Sequence, residues 1–426
     1  MKESLLPRMR IIDLTEGGCM LGGRLLGDAG ADVIKIERPG GSDPCISRIW
    51  PYYKNSGEPE QSLFWFTYNA NKRGITLDIT KKEGQELLKK LVKSADAILE
   101  SAEPGYMKKI GLGYEDLCQI KPDIIYTAIT PFGQEGPKAH YDASALTVWA
   151  SGGYLNACGD PDRAPVWISM PQTFLFGGCE GAIGTLMAYY YRMKTAENGG
   201  TGEGQFVDVS MQEAALSPNM NILQMWDLNK LDYKRQGSVS YVAGTGVKQP
   251  IYFKCKDGYV MILAIGGNEP YVSSSKALVK WMGEENMAPD WLKNVNWLTD
   301  YNASKLKQDL ADKVGAAIEA FTMTKTKEEL YNTGAYEKMI YIAPVANTKD
   351  ISEDIQLKAR HFWVEMPHPE LGRDIPYCGP FIQLSETPIE YRRRAPLIGE
   401  HNKEIYSGEL GMADAEMEAL KNKGVI

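Results

Sequence analysis

RIIDLTEGGCMLGGRLLGDAGADVIKIE, residues 10–37, reads as strand, glycine-rich turn, helix, strand. Arg10 to Leu14 is a short apolar run. Cys19 to Ala29 carries Gly22, Gly23 and Gly27, a helix that another segment approaches closely. Ala31 to Glu37 alternates with period two over most of its length, the signature of a strand. A βαβ unit of this kind implies a parallel sheet. The turn EGGCMLGG (Glu16 to Gly23) does not place its glycines at the GxGxxG offsets. Asp28 and Asp32 also come too early to hold a ribose, so no dinucleotide site is expected.

Outward from this unit the pattern repeats. GITLDI (Gly74 to Ile79) reads as a strand, Glu83 to Ser94 as an amphipathic helix and AILE (Ala97 to Glu100) as a strand. A short helix over Tyr114 to Ile120 leads to the strand DIIYTAI. This part of the chain is predicted to be α/β and Rossmann-like. The composition shifts after Asn221: residues 223–325 mix the short strands PIYFKC and YVMILAI with Trp-rich and charged helices, a smaller second domain. After Lys325 a helix over Lys327 to Asn332 and the apolar IAPVAN open a third stretch, so the expected divisions are 1–222, 223–325 and 326–426.

Composition narrows the function classes. With 426 residues the chain has room for two domains and a large core. Its 43% hydrophobic and 24% charged content suits a globular enzyme. A net charge of −8 argues against nucleic acid as a partner, which requires clustered cations. No run approaches the 18 or so apolar residues of a membrane helix, and the first residues lack the pattern of a signal peptide. Seven cysteines without a CxxC and four dispersed histidines suggest neither disulfides nor a metal site. A cytoplasmic enzyme without a metal or a covalently bound cofactor is expected.

The stretch PQTFLFGGCEGAIGTLMAYYYRMKTAENGGTGEGQFVDVSMQE, Pro171 to Glu213, is an apolar helix rich in small residues, running to Arg192, then a glycine-rich turn and a strand. With it go IIDLTEGG, GDAGADVIKIERPGGSDP, YNANKRGITLDI, ADAILESAEPGYMKKIGLGYEDL, ITPFGQEGP, IAPVANTKDISED and the tail APLIGEHNKEI, in that order. This series resembles the class III CoA-transferases over nearly the whole chain. The resemblance implies a large Rossmann-like domain built from both chain ends with a small α+β domain inserted. It also implies two subunits interlocked like chain links, and a coenzyme A thioester as substrate. Carried over residue by residue, it implies coenzyme A contacts at Arg38, Leu77, Thr80, Ser101 and Lys109. Arg38 also follows a strand, where the ligand crevice of a parallel sheet lies. Asp142 departs from the pattern, standing where a lysine contact is implied. The segment AGTGVKQP (Ala243 to Pro250) falls at the family's mobile glycine loop, with Gly244 and Gly246 free to move the backbone; an ordinary turn before a strand fits equally.

The resemblance implies a nucleophilic aspartate at the start of the Pro171 helix. That carboxylate takes the acyl group from an acyl-CoA as a mixed anhydride, and the released thiolate then forms an enzyme-bound thioester. Counting back from Gly184 and Arg192, the position is Phe174, which cannot be acylated. Asp160 and Asp162 lie in a loop, and Glu180, six residues on, is turned about 120° off the required face. No catalytic residue is therefore assigned. The chain is expected to be the subunit without the nucleophile, paired with a homologous catalytic subunit that carries the aspartate and acting on dicarboxylic acids. The alternatives are a coenzyme A-binding scaffold, or a homomeric transferase or racemase relative using other groups. The racemase histidine is not matched: His140 comes three residues after Pro137, and the later position is Ser144.

Overall fold

Six short aliphatic strands set the architecture in the computed structural model, which describes residues 4–43, 45–200, 202–232, 234–242 and 245–426. They are β1 Arg10–Leu14, β2 Asp32–Glu37, β3 Lys72–Thr76, β4 Ala97–Glu100, β5 Ile125–Thr130 and β6 Phe206–Ser210. All neighbours are parallel, in the order β3-β2-β1-β4-β5-β6. Parallel strands need helical crossovers, which cover both faces of the sheet. Alternate residues accordingly serve two cores. Ile12, Ile34, Ile98 and Tyr126 join Leu87, Leu88 and Leu91 on one face. Ile11, Val33, Leu99 and Ile125 join Leu26, Ala182 and Ala188 on the other.

The helices of this part are α1 Met20–Asp28, α2 Leu63–Asn69, α3 Lys82–Val92, α4 Tyr106–Lys109, α5 Tyr114–Cys118, α6 Ala145–Ser151, α7 Gln172–Glu197, α8 Met211–Leu216 and α9 Ile222–Asn229. Helices α1 and α7 cross closely: a Cβ on Gly22 would lie 2.7 Å from the Gly178 carbonyl oxygen. Helix α7 ends where Gly199 takes φ +77 and the Gly200 N–H reaches the Thr195 carbonyl at 2.7 Å, a glycine C-cap. Near that end Arg192 donates to the Asp96 carboxylate at 2.5 Å and to the Asp123 carbonyl at 2.7 Å, tying the helix to the feet of β4 and β5.

Strand β3 begins at Lys72, two residues before the strand expected from Gly74, and stops before Leu77. Lys72 and Arg73 belong to it because their charges are met inside the fold. Lys72 Nζ donates to Asp13 Oδ2 at 2.7 Å, and Arg73 pairs with Asp32, Glu404 and Glu409. The free edge of β3 is covered by the chain's tail: His401 N–H donates to the Gly74 carbonyl at 2.9 Å and Thr76 N–H to Asn402 Oδ1 at 2.9 Å. A covered edge is no longer a template for pairing.

By contacts the chain divides into two units: Met1–Tyr154, Ile168–Asn229 and Gln356–Ile426; and Leu155–Trp167 with Lys230–Ile355. These limits differ from the expected 223–325. The second unit holds the hairpin strands β7 Val239–Tyr241 and β8 Lys248–Pro250, then β9 Tyr252–Cys255, β10 Gly258–Ile262 and β11 Ile342–Pro344. Strand β11 pairs antiparallel with β10, which carries the unit past residue 325. Residues 155–167 join it through contacts such as Gly237 N–H to the Gly159 carbonyl at 2.9 Å. Its core gathers Phe253, Trp281, Trp297 and Phe321. The first unit's last strands, β12 Trp363–His368 and β13 Arg373–Cys378, form an antiparallel pair.

Candidate active site

The order of strands reverses between β1 and β4. In such sheets ligands bind beyond the carboxyl ends of the strands on either side of that reversal. Two cavities lie there. A smaller one, of about 190 Å³, is lined by Arg38 after β2, Leu77 and Thr80 after β3, and Glu100 and Ser101 at the end of β4. A larger one, of about 510 Å³, is lined by Cys19, His140, Asp142, Phe174 and Met211. Glu16, Ser101 and Ala102 line both.

The turn that carries Glu16 is fixed from beneath. Asp13, Lys35 and Lys72 are all fully buried. Asp13 accepts from Lys72 Nζ at 2.7 Å and from the Thr15 hydroxyl at 2.6 Å, and Lys35 Nζ lies 3.9 Å away. Lys72 also donates to the Met20 carbonyl at 2.7 Å and to Asn69 Oδ1 at 2.9 Å, and Lys35 donates to the Thr15 carbonyl. Two buried cations against one carboxylate leave a net positive charge under residues 15–20. Burial lowers Lys72 to about 8, with Asp13 acting in the opposite direction. Above, Glu16 N–H donates to Ser101 Oγ at 2.9 Å, Gly17 N–H to Ser47 Oγ at 2.9 Å, and the Ser47 hydroxyl to Glu16 Oε2.

Phe174 is the third residue of α7. It sits, partly buried, on Gly17 and Gly18 and packs against Cys19, Ile129, Val148, Val209 and Met211. A Cβ on Gly18 would come within 2.8 Å of the Phe174 Cβ, so this crossing admits no side chain there. The helix start has no side-chain cap and no acidic residue in its first turn. Its unpaired N–H groups therefore favour negative charge at a position occupied by a phenyl ring.

Arg38, Leu77, Thr80 and Ser101 are brought together around the smaller cavity. Lys109 is not among its lining residues: Met107 takes the buried face of α4, and Lys108 and Lys109 are exposed. Glu180 lines a separate groove along α7 with Ile183 and Met187, whereas Asp160 and Asp162 belong to the second unit. His140 and Asp142 are exposed on the rim of the larger cavity. Ser144 is engaged as the cap of α6, accepting from Thr147 N–H at 3.3 Å. Gly244 lies outside the described residues. Gly246, at φ +69, falls between the paired strands β7 and β8, in the position of a hairpin turn.

Glu37, Glu16 and Glu100 were not singled out by sequence. Glu37 is neutralised by Arg48 through two contacts, at 2.9 and 2.8 Å. Among the described residues Glu100 has no such partner, and burial raises its carboxyl to about 7 against the pull of the Ala102 N–H at 2.6 Å. Burial also pushes the Cys19 thiol well above its ordinary range. Their signal in the sequence was position alone, since each ends or follows a strand of the doubly wound sheet.

Residues 6–402 match CoA-transferase family III. The chain belongs to that family. It is 32% identical, over 98% of its length and 97% of the relative's, to Succinyl-CoA:(R)-benzylsuccinate CoA-transferase subunit BbsE of Thauera aromatica. It is 30% identical, over the full length of both, to Formyl-CoA:oxalate CoA-transferase of Streptomyces coelicolor. The crystal structure of a CAIB/BAIF family protein from Brucella suis superposes with a TM-score of 0.79 at 26% identity, covering 96% of this chain and all of that one. CoA transfer is thus the chemistry of the family to which this chain belongs, and a coenzyme A thioester is the substrate. Among the described residues no group of side chains could hold a metal ion, and no helix is long and apolar enough to cross a membrane.

Proposed function

We propose that this chain is the subunit without the nucleophile in a heteromeric class III CoA-transferase, one that moves CoA from succinyl-CoA to (R)-benzylsuccinate in anaerobic toluene degradation. The carrying observation is Phe174. It stands in the first turn of α7, over Gly17 and Gly18, on the wall of the larger cavity, and Glu180 lines a different groove. A homologous subunit in the cytoplasm supplies the aspartate. In this reading Arg38, Leu77, Thr80 and Ser101 hold a coenzyme A thioester in the smaller cavity, with its acyl end directed past Glu16 toward Phe174.

Two further observations support a partner. The resemblance to subunit BbsE covers nearly all of both chains. Helix α7 also leaves Ile183, Met187, Tyr190 and Tyr191 exposed on one flank, an apolar surface of the kind that marks protein–protein contact. The two subunits are proposed to interlock through it.

The test is to purify the chain alone and with a homologous subunit carrying aspartate at the matching helix start. CoA transfer to (R)-benzylsuccinate in the mixture only, with the covalent CoA adduct on the partner, is the expected result. A CoA thioester on this chain, found by mass spectrometry of the wild type, overturns the proposal. Binding of CoA without activity in any combination replaces it with a scaffold.

A further inference from the structure

Among the described residues Glu100 is the one carboxyl lining the smaller cavity without a hydrogen-bonding side chain. It ends β4 beside the sheet's reversal point, is 4% exposed, and lines the cavity with Arg38 and Ser101. One oxygen accepts the Ala102 N–H at 2.6 Å. Among the described residues no cation pairs with it. Its neighbour Glu37 shows the usual remedy for a buried carboxylate, a two-point contact with Arg48. Glu100 lacks that remedy in the place where the ligand is to enter.

An isolated buried carboxylate is costly and is relieved by taking up a proton. Of the remaining groups around it only exposed Arg38 is a cation among the described residues, and it makes no ion pair with Glu100. Glu16, whose side chain accepts from Ser47, and Cys19 come from the turn after β1. Glu37, held by Arg48, and exposed Arg38 come from the end of β2. Tyr106 comes from α4 and Tyr126 from β5. Burial raises both Cys19 and Tyr126, and the Glu100 charge raises them further, so they stay protonated near neutrality. Tyr126 Oη is itself buried without a hydrogen-bond partner among the described residues. A coenzyme A thioester brings phosphates and many carbonyl and ring-nitrogen acceptors. Beside such a ligand a second negative charge is repelled, whereas a carboxylic O–H has acceptors to meet.

We propose that Glu100 is a ligand-contacting residue that binds the coenzyme A thioester as a neutral acid, its O–H donating to an acceptor of the ligand, so that binding takes up a proton. This rests on the reading of the smaller cavity as the coenzyme A site. Burial places the carboxyl at about 7, within reach of ordinary buffers.

The experiment is calorimetric titration of the full chain with acetyl-CoA from pH 6 to 8, in two buffers of different ionisation enthalpy, for the wild type and Glu100→Gln. Titration of the ligand's own phosphate is common to both proteins and cancels in the difference. For a group at about 7, wild-type affinity should fall about tenfold more than that of Glu100→Gln between pH 6 and 8, with proton uptake approaching one at pH 8. The amide keeps a donor and cannot titrate, so Glu100→Gln should lose that uptake. Equal proton uptake and equal pH dependence in the two proteins overturn the proposal while leaving the coenzyme A site in place. Absence of acetyl-CoA binding by both proteins at every pH overturns the site reading and the proposal with it. A wild-type measurement guards against a variant that does not fold: the carbon-13 signal of the Glu100 carboxyl at pH 8 should move to the protonated position as acetyl-CoA is added. An unchanged ionised signal in the bound protein overturns the proposal.

Discussion

Replacing Phe174 by aspartate places a carboxylate at the third residue of α7 and removes a ring that packs on Gly17 and Gly18. Phe174 is only partly buried, so the lost burial is roughly half of the 3 kcal/mol or so of a fully buried phenylalanine, about 1.5 kcal/mol. The carboxylate gains about 0.3–1 kcal/mol from the unpaired N–H groups of the helix start. Phe174→Asp should therefore be less stable than wild type by about 0.5–1.2 kcal/mol in urea unfolding, and Phe174→Asn by somewhat more. The difference between the two variants isolates the charge. A carboxylate favoured by the fold has a lowered pKa and contributes stability above its unfolded value, so the advantage over asparagine must vanish as the pH falls through the carboxylate range. Full CoA-transferase activity should not return, because a nucleophile also needs an acyl pocket shaped around it. The assay is mass spectrometry after mixing with succinyl-CoA. A loss of stability above about 4 kcal/mol, the scale of a fully buried aromatic truncation, would refute the placement of Phe174 at the cavity wall. A fully active Phe174→Asp homomer would refute the view that the rest of the acyl site has been lost.

Lys72→Met removes the cation that holds Asp13, Asn69 and the Met20 carbonyl, leaving a fully buried carboxylate with Lys35 at 3.9 Å. Breaking such a pair costs about 3–5 kcal/mol, to be read from urea midpoints, whereas Lys81→Met, at the part-exposed pair with Asp78, should cost under about 1 kcal/mol. Met187→Glu, at a side chain 67% exposed on α7, should leave monomer stability within about 0.5 kcal/mol and abolish co-purification with the homologous subunit. Glu100→Gln should flatten the pH dependence of stability. The native carboxyl at about 7 holds a proton that the unfolded chain, at 4.5, has released. Wild-type stability therefore falls by about 3 kcal/mol as the pH rises from about 4.5 through about 7, and the variant should lack that decline in parallel unfolding series.

The central βαβ unit was legible because Ile11, Ile12, Val33 and Ile34 form short apolar runs, buried on both faces as a covered parallel sheet requires. Strand β3 starts two residues and stops three residues earlier than the expected Gly74 to Ile79, because it takes in the charged pair Lys72 and Arg73. Their partners, Asp13 and Glu409, lie far away in sequence, and no local pattern announces a lysine paired inside a sheet. The limit of the second unit failed for a similar reason. Strand β11 is a three-residue segment whose membership is decided by its pairing with β10. In the site, Arg38 could be placed by where it follows a strand, and Ser101 by the family resemblance alone. Glu100 could not, because its special character is the absence of a cation, and an absence has no sequence signature.

Why the opening turn survives in a chain with phenylalanine at position 174 follows from what the turn does. Gly18 is required by the crossing of α7, since a Cβ there would lie 2.8 Å from the Phe174 Cβ and 3.1 Å from the Leu175 nitrogen. Gly23 is required by the buried Asp13, whose carboxylate oxygen would lie 2.2 Å from a Cβ at that position. Lys35 and Lys72 hold the same turn through its carbonyls. Each of these residues is needed for the sheet to close against α1 and α7, whatever chemistry the cavity performs. Position 174 is different, because its side chain forms part of a cavity wall and its backbone is an ordinary helical turn. A subunit relieved of catalysis can therefore change residue 174 without disturbing the turn beneath it. The motifs of the turn are evidence of the fold. Evidence of ligand binding has to come from residues with no structural task, and Arg38, exposed and without an ion-pair partner among the described residues, is such a residue. Arg38→Ala should leave the unfolding midpoint unchanged and weaken acetyl-CoA binding; equal affinity in the two proteins would show that the smaller cavity is a remnant of the fold and not a site.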